Sequence, residues 1–119
     1  MNLQKIYAAM LVADITAAED WYTKLLGRRP DNRPMPTLVQ WELSEAAGLA
    51  LSTDAEIAGK GVVFVYVADV AEERRRLQPL GITLGDDIQG DYSTLAQVRD
   101  PDGNVLTLAT PPSRPFPPA

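Results

Sequence analysis

The alternation of apolar and polar positions along the chain occurs in two matching copies. Thr94–Thr110 reads TLAQVRDPDGNVLTLAT, two apolar-alternating runs on either side of a turn. Pro101 suits the second position of a type I turn and Gly103 tolerates positive φ, so the stretch predicts a hairpin. Thr37–Thr53, TLVQWELSEAAGLALST, aligns with it without a gap. Thr, Leu and Gln open both stretches, and Leu-x-Leu-x-Thr closes both. Such a recurrence predicts a fold made of two copies of one unit.

The rest of the pattern fits that reading. Ile6–Val12 is an apolar run of β character and predicts a first strand. Asp14 and Thr16 offer helix caps, and Thr16 with Glu19 fits a capping box. Ala18, Trp21, Tyr22, Leu25 and Leu26 then recur with helical spacing, and Gly27 is placed to end that helix. Arg29–Pro36 holds three prolines and reads as an edge strand or loop. Strand Leu38–Leu43, a turn at Ser44–Gly48 and strand Leu49–Thr53 follow. After a linker at Glu56–Gly61, the second copy predicts strand Val62–Val67, a cap at Asp69 and helix Ala71–Leu80 ending at Gly81. The Arg74–Arg76 run reads as that helix's solvated face. Ile82–Ile88 reads as a strand, and the loop through Gly90–Tyr92 leads into the hairpin. Val12-Ala13-Asp14 and Leu26-Gly27 recur as Val67-Ala68-Asp69 and Leu80-Gly81.

Each copy is thus strand, capped helix, glycine, strand, strand, strand. The expected class is α+β: two βαβββ modules, residues 1–55 and 60–110 of a single domain 1–110, forming a cupped mixed sheet with the helices on its outer face. The open faces would share a concave cavity. Residues 111–119, PPSRPFPPA, have no helix or strand potential and are expected to form a flexible or polyproline-like tail.

Composition narrows the chemistry. The 119 residues suit one domain, and 45% hydrophobic residues suit a packed one. Without cysteine, disulfides and thiolate metal sites are excluded. Without histidine, the commonest general base and metal ligand is missing. Met1 is followed by no charged-then-apolar leader, and no apolar run reaches membrane-spanning length, so a cytoplasmic location and no membrane partner are expected. The net charge of −5 argues weakly against nucleic acid and anionic membranes and modestly favours a cationic ligand, with colloidal solubility the favoured account of it.

Two motifs, VADITAAEDWYTKLLGRRP and RDPDGNVLTL, give the chain a family resemblance. In this order and with the internal duplication, the chain from about Ile6 to Thr110 resembles the vicinal oxygen chelate superfamily, which includes glyoxalase I, bleomycin-resistance proteins, fosfomycin-resistance enzymes and extradiol dioxygenases. The resemblance implies paired βαβββ modules and homodimers. It also implies metal ligands at the head of each module's first strand and in each module's last strand. Those positions fall on Tyr7, Val62, Ala50 and Thr107. Val and Ala have no donor atom, and Thr hydroxyl and Tyr phenol are poor ligands at neutral pH. No metal and no cofactor is therefore expected.

Anchored on those positions, strand alternation sends Tyr7, Ala9, Leu11, Leu38, Gln40, Glu42, Ala50, Ser52, Val62, Phe64, Tyr66, Leu95, Gln97, Arg99, Val105 and Thr107 to the concave face. The candidate ligand contacts are Tyr7, Gln40, Glu42, Phe64, Tyr66, Leu95, Gln97 and Thr107. Gln40 and Gln97 read either as amides for a ligand or as a structural pair. Tyr7 and Tyr66 read either as stacking platforms or as interface packing. Glu42 is a candidate catalytic base, or a partner for a ligand cation, or an ion pair with Arg99, the last favoured, and a metal-independent lyase or isomerase would use Glu42 or Tyr66. Trp21 and Trp41 read as core. Asp100-Pro101-Asp102-Gly103 reads as a structural turn without a catalytic role.

The function implied is a metal-independent, bleomycin-resistance-like protein that sequesters a small aromatic or amphipathic molecule as a homodimer. A metal-independent or degenerate glyoxalase-like lyase or isomerase is the alternative. An accessory dimer without pocket chemistry stays open as a third reading.

Overall fold

The computed structural model describes residues 1–118, which fold into two four-stranded mixed sheets and two helices. The elements are β1 (Ile6–Val12), α1 (Ile15–Leu26), β2 (Asn32–Met35), β3 (Leu38–Glu42), β4 (Ala47–Thr53), β5 (Val62–Tyr66), α2 (Val70–Leu77), β6 (Ile88–Gln89), β7 (Thr94–Arg99) and β8 (Val105–Ala109). This is the expected α+β class with two βαβββ units. The strand orders, β1-β4-β3-β2 and β5-β8-β7-β6, are the same order in each copy.

The first compact unit comprises residues 1–62 together with 99–105. In its sheet β1 runs parallel to β4, Tyr7 facing Gly48 and Ala9 facing Ala50, while β3 runs antiparallel to β4. Period-two alternation puts Met10, Val12, Val39, Trp41, Leu49 and Leu51 into the core with Ala18, Tyr22 and Leu25 of α1. Trp41 is fully buried, with its indole N–H donating to Arg28 O at 2.9 Å, and Trp21 packs edge-on against Tyr22. α1 starts at Asp14, whose carboxylate accepts the N–H groups of Thr16 and Ala17 at 3.0 and 3.3 Å. The capping box expected from Thr16 and Glu19 does not form, because the helix already starts at Ile15, the Asp14 carboxylate takes the Thr16 N–H, and Glu19 pairs with Arg33 on β2. Gly27, at φ 75°, closes the helix in the left-handed conformation.

The turn between β7 and β8 belongs to this first unit and is its polar keystone. Asp100 Oδ1 accepts the backbone N–H groups of Asp102 and Asn104, both at 2.9 Å. The Asn104 side chain, fully buried, donates to Asp100 Oδ2 at 2.7 Å and Leu11 O at 3.0 Å, and accepts from Gly61 N at 2.7 Å. Every polar atom of that amide has a partner, as burial demands.

The second unit comprises residues 63–98 and 106–119, of which 119 lies outside the described residues. Its core is Val70, Leu77, Ile82, Leu84, Ala96, Val98, Leu106, Leu108 and Ala109. Asp69 caps α2 by accepting from Ala71 N at 2.9 Å and Glu72 N at 3.4 Å. The α-helix stops at Leu77 rather than reaching Leu80. Pro79 cannot donate to the helical ladder, and Gln78–Leu80 tightens into a 3-10 turn ended by Gly81 at φ 82°.

The expected strand Ile82–Ile88 is only Ile88–Gln89. Ile82 and Leu84 alternate inward as a strand would, but Gly85-Asp86-Asp87 has poor β propensity, and one backbone bond, Gly85 N to Gln97 O at 2.8 Å, ties the segment to β7. Arg74 supplies the missing tether. Its guanidinium donates to Leu84 O at 3.1 Å and Gly85 O at 2.8 Å and pairs with Asp87, so it is not simply the solvated face expected of it.

Candidate functional site

On the first sheet, Tyr7 and Glu42 come together. The Tyr7 phenol donates to Glu42 Oε1, Asn32 Nδ2 donates to the same oxygen at 3.2 Å, and Lys5 forms an ion pair with Oε2. Lys5 also lies 5.1 Å from the centre of the Tyr7 ring. Glu42 does not pair with Arg99, as the sequence favours. Tyr7 and Asn32 on its own sheet and Lys5 just before β1 take up the carboxylate, and Arg99 donates to Gly103 O at 3.0 Å across its own turn. Gln40, between Asn32 and Ala50 in register, shares the Glu42 face of β3.

On the second sheet, Gln97 and Thr107 form a cross-strand pair, with Gln97 Nε2 donating to Thr107 Oγ1 at 3.2 Å. Phe64, Tyr66 and Leu95 instead line an open cleft of about 160 Å³ together with Gly90, Asp91, Tyr92, Ser93 and Phe116. β5 alternates cleanly here. Val63 and Val65 turn inward, while Phe64 and Tyr66 stay about half exposed with their rings 5.5 Å apart. A second aromatic pair, Tyr92 and Phe116, has its ring centres 4.7 Å apart. Sequence reasoning did not single out Tyr92 or Phe116. Their signal was an aromatic residue in each of two segments, the Gly90–Tyr92 loop and the Pro-rich stretch after Thr110, that otherwise hold only polar, glycine, proline and alanine residues.

A wider depression of about 280 Å³ on the first unit is lined by Thr16, Glu19, Asp20, Thr23, Arg29 and Arg33. Its lining side chains are all charged or hydroxyl-bearing, Glu19 pairs with Arg33 and Asp20 with Lys24, and no aromatic or aliphatic side chain faces it. The aromatic cleft is the better candidate for a ligand.

The family's metal positions do not fit a divalent ion in this chain. The Tyr7 hydroxyl is engaged by Glu42, the Thr107 hydroxyl accepts from Gln97, and Ala50 and Val62 carry no donor atom. Among the described residues no three His, Cys, Asp or Glu side chains cluster in a way that could hold a metal. No helix among them is long and apolar enough to cross a membrane.

Among the described residues one ionisable group is strongly perturbed. Burial, then the hydrogen bond and charge of Asp100 and the charge of Asp102, push the Tyr22 phenol far above its usual range. It sits in the polar keystone and not in the cleft.

The sequence model of the Glyoxalase/Bleomycin resistance protein/Dioxygenase superfamily matches residues 6–108. Among solved structures the chain is similar to a glyoxalase/bleomycin resistance protein from Catenulispora acidiphila DSM 44928, at 25% identity and TM-score 0.83, covering 92% of this chain and 99% of that one. It is similar to TnmS3, an antibiotic binding protein from Streptomyces sp. CB03234, at 22% identity and TM-score 0.79, covering 93% and 98%. It is also similar to a lactoylglutathione lyase from Agrobacterium tumefaciens, at 24% identity and TM-score 0.73, covering 88% and 91%. At the last two identities the likeness shows the fold alone. No curated protein sequence matches the chain.

Proposed function

The chain belongs to the Glyoxalase/Bleomycin resistance protein/Dioxygenase superfamily, and from that membership we propose that it is a metal-independent binding protein for a small aromatic molecule. The observation that carries this reading is the cleft on the second sheet. Its walls are aromatic and aliphatic, Phe64, Tyr66, Tyr92 and Leu95, and its rim bears one carboxylate, Asp91. The Phe64 and Tyr66 rings contact each other at 58° with centres 5.5 Å apart, and their half-exposed outer surfaces are what a planar ring can pack on. Asp91 offers a carboxylate to a ligand whose ring carries a positive charge, with the Arg114 guanidinium over the Tyr92 ring as the cation it would compete with. A fold shared with an antibiotic binding protein supports a sequestering role. Isothermal titration with a panel of planar aromatic compounds tests it. Micromolar binding that Phe64→Ala or Tyr66→Ala weakens about tenfold is expected, and no binding by any member of the panel would sink the reading.

A second copy is part of this reading. Val62, at the head of β5 and 76% exposed, offers apolar surface outside the cleft for a second copy. Sedimentation at micromolar concentration should show a homodimer. A cytoplasmic location also belongs to it and is checked by cell fractionation.

The alternative is a metal-independent lyase or isomerase that uses Glu42 as base, and the short contact of Tyr7 with Glu42 is what favours it. Against it, the carboxylate already takes hydrogen from Tyr7 and Asn32 and charge from Lys5. A general base needs a free lone pair aimed at substrate. Turnover abolished by Glu42→Gln would put this alternative first.

A further inference from the structure

We propose that the segment Pro111–Pro118 is a strap that completes the aromatic cleft, with Phe116 as a wall against which a bound planar ring packs. The inference rests on the binding-protein reading above and adds to it a residue from outside both sheets.

Three contacts fasten the strap to one residue. Ser113 N donates to Tyr92 O at 2.8 Å. The Arg114 guanidinium lies 4.8 Å over the Tyr92 ring. The Phe116 ring packs on Tyr92 with centres 4.7 Å apart and planes tilted by 54°. Prolines at 111, 112, 115, 117 and 118 restrict the backbone between and around these contacts. A chain already confined near one conformation loses little entropy when it docks, so few contacts suffice to hold it.

Phe116 lines the cleft without filling it. The space of about 160 Å³ lies beside its ring, and Phe116 is still 55% exposed as a residue. A dry apolar cavity of about 150 Å³ takes up a benzene ring. A mono- or bicyclic ring therefore matches this cleft, touching Phe64 and Tyr66 on the sheet side and Phe116 on the strap side. An exposed phenylalanine in a proline-rich tail has no core to serve. Its burial on ligand binding would supply apolar contact that the sheet alone does not.

4-Aminoquinoline, cationic at neutral pH, serves as the aminoquinoline probe, with quinoline and naphthoate as neutral and anionic counterparts. Fluorescence titration of the full-length wild type, Phe116→Ala, Phe116→Tyr and Phe64→Ala chains tests the strap. Phe116→Ala should weaken aminoquinoline binding about tenfold with the melting temperature almost unchanged, and Phe116→Tyr should retain affinity within about twofold. Binding of Phe116→Ala equal to wild type, with Phe64→Ala weakened, would overturn the strap and leave the binding reading standing. No binding of any probe by the wild type would overturn both.

Discussion

Tyr22 of α1 donates its phenolic hydrogen to Asp100 Oδ2 at 2.8 Å, tying the first helix to the turn between β7 and β8. Both residues are buried, and the acceptor is an acidic side chain with further obligations. Asp100 also receives Asn104 Nδ2 and the N–H groups of Asp102 and Asn104. Removing one donor leaves the carboxylate satisfied, so Tyr22→Phe should cost about 1–2 kcal/mol. Removing the acceptor strands several buried donors at once, so Asp100→Ala should cost about 3 kcal/mol or more. Urea unfolding of both variants measures the difference, and equal costs would show that Asp100 is not the hub.

The same phenol makes stability fall at high pH. Burial and the Asp100 and Asp102 carboxylates raise the Tyr22 pKa in the folded state above the value of 10.0 expected when unfolded. Below pH 10.0 both states hold the proton and the contribution is complete. Above it the unfolded chain releases a proton that the folded chain keeps, so this contribution should drop by about 1.4 kcal/mol per pH unit. Unfolding free energies of wild type and Tyr22→Phe, compared at rising alkaline pH, should converge. Parallel curves would contradict the assignment.

A close approach fixes Tyr7. Gly48 lies opposite Tyr7 in the β1–β4 register, and a Cβ there would collide with the Tyr7 ring and come within 2.8 Å of Trp41 O. Gly48→Ala should therefore cost about 2 kcal/mol and disengage Tyr7 from Glu42. Adding Tyr7→Ala should recover part of the loss, because only the backbone clash then remains. A melting temperature unchanged from wild type would refute the close packing.

What the sequence disclosed follows from which interactions have a period. Met10, Val12, Val39, Trp41, Leu49 and Leu51 alternate with their neighbours, and the face they bury was legible from that alternation alone. Gly27 and Gly81 marked helix ends because their positive φ suits no other residue as well. Ile82 and Leu84 also alternate, yet alternation records burial and not ladder hydrogen bonds, so a coil was mistaken for a strand. The partner of Glu42 was misjudged for a related reason. Lys5, Tyr7 and Asn32 reach it through register and loop geometry, which no local pattern encodes. The Asp100 turn was recognised as a turn, but its bonds to Tyr22 and from Asn104 to Leu11 span most of the chain and leave no local trace. Phe116 was missed because a proline-rich segment has no period to place a side chain.

Glu42→Gln separates binding from catalysis. Glu42 does not line the aromatic cleft, so aminoquinoline affinity should stay within about twofold of wild type. Stability should fall by about 1 kcal/mol, because Lys5 loses its counter-charge and Tyr7 its ionised acceptor. Loss of binding in parallel with loss of stability would mean that the carboxylate serves the ligand.

Divalent metal should leave this protein unchanged. The family's four ligand positions hold Tyr7, Ala50, Val62 and Thr107, of which only the two hydroxyl side chains have oxygen to offer. Both hydroxyls are already committed, Tyr7 as a donor to Glu42 and Thr107 as an acceptor from Gln97. The one carboxylate beside Tyr7, Glu42, is neutralised by Lys5. A divalent ion bound there would have to displace an ammonium group and a phenol hydrogen bond, and it would gain a single anionic oxygen ligand in return. Zinc, nickel and manganese, each titrated separately, should shift the melting temperature by less than about 1 °C, since a site with millimolar or weaker affinity adds little at micromolar metal. Aminoquinoline affinity should be the same with and without chelator. Near-stoichiometric zinc that survives gel filtration, leaves with chelator and takes ligand binding with it would reverse the metal-independent reading.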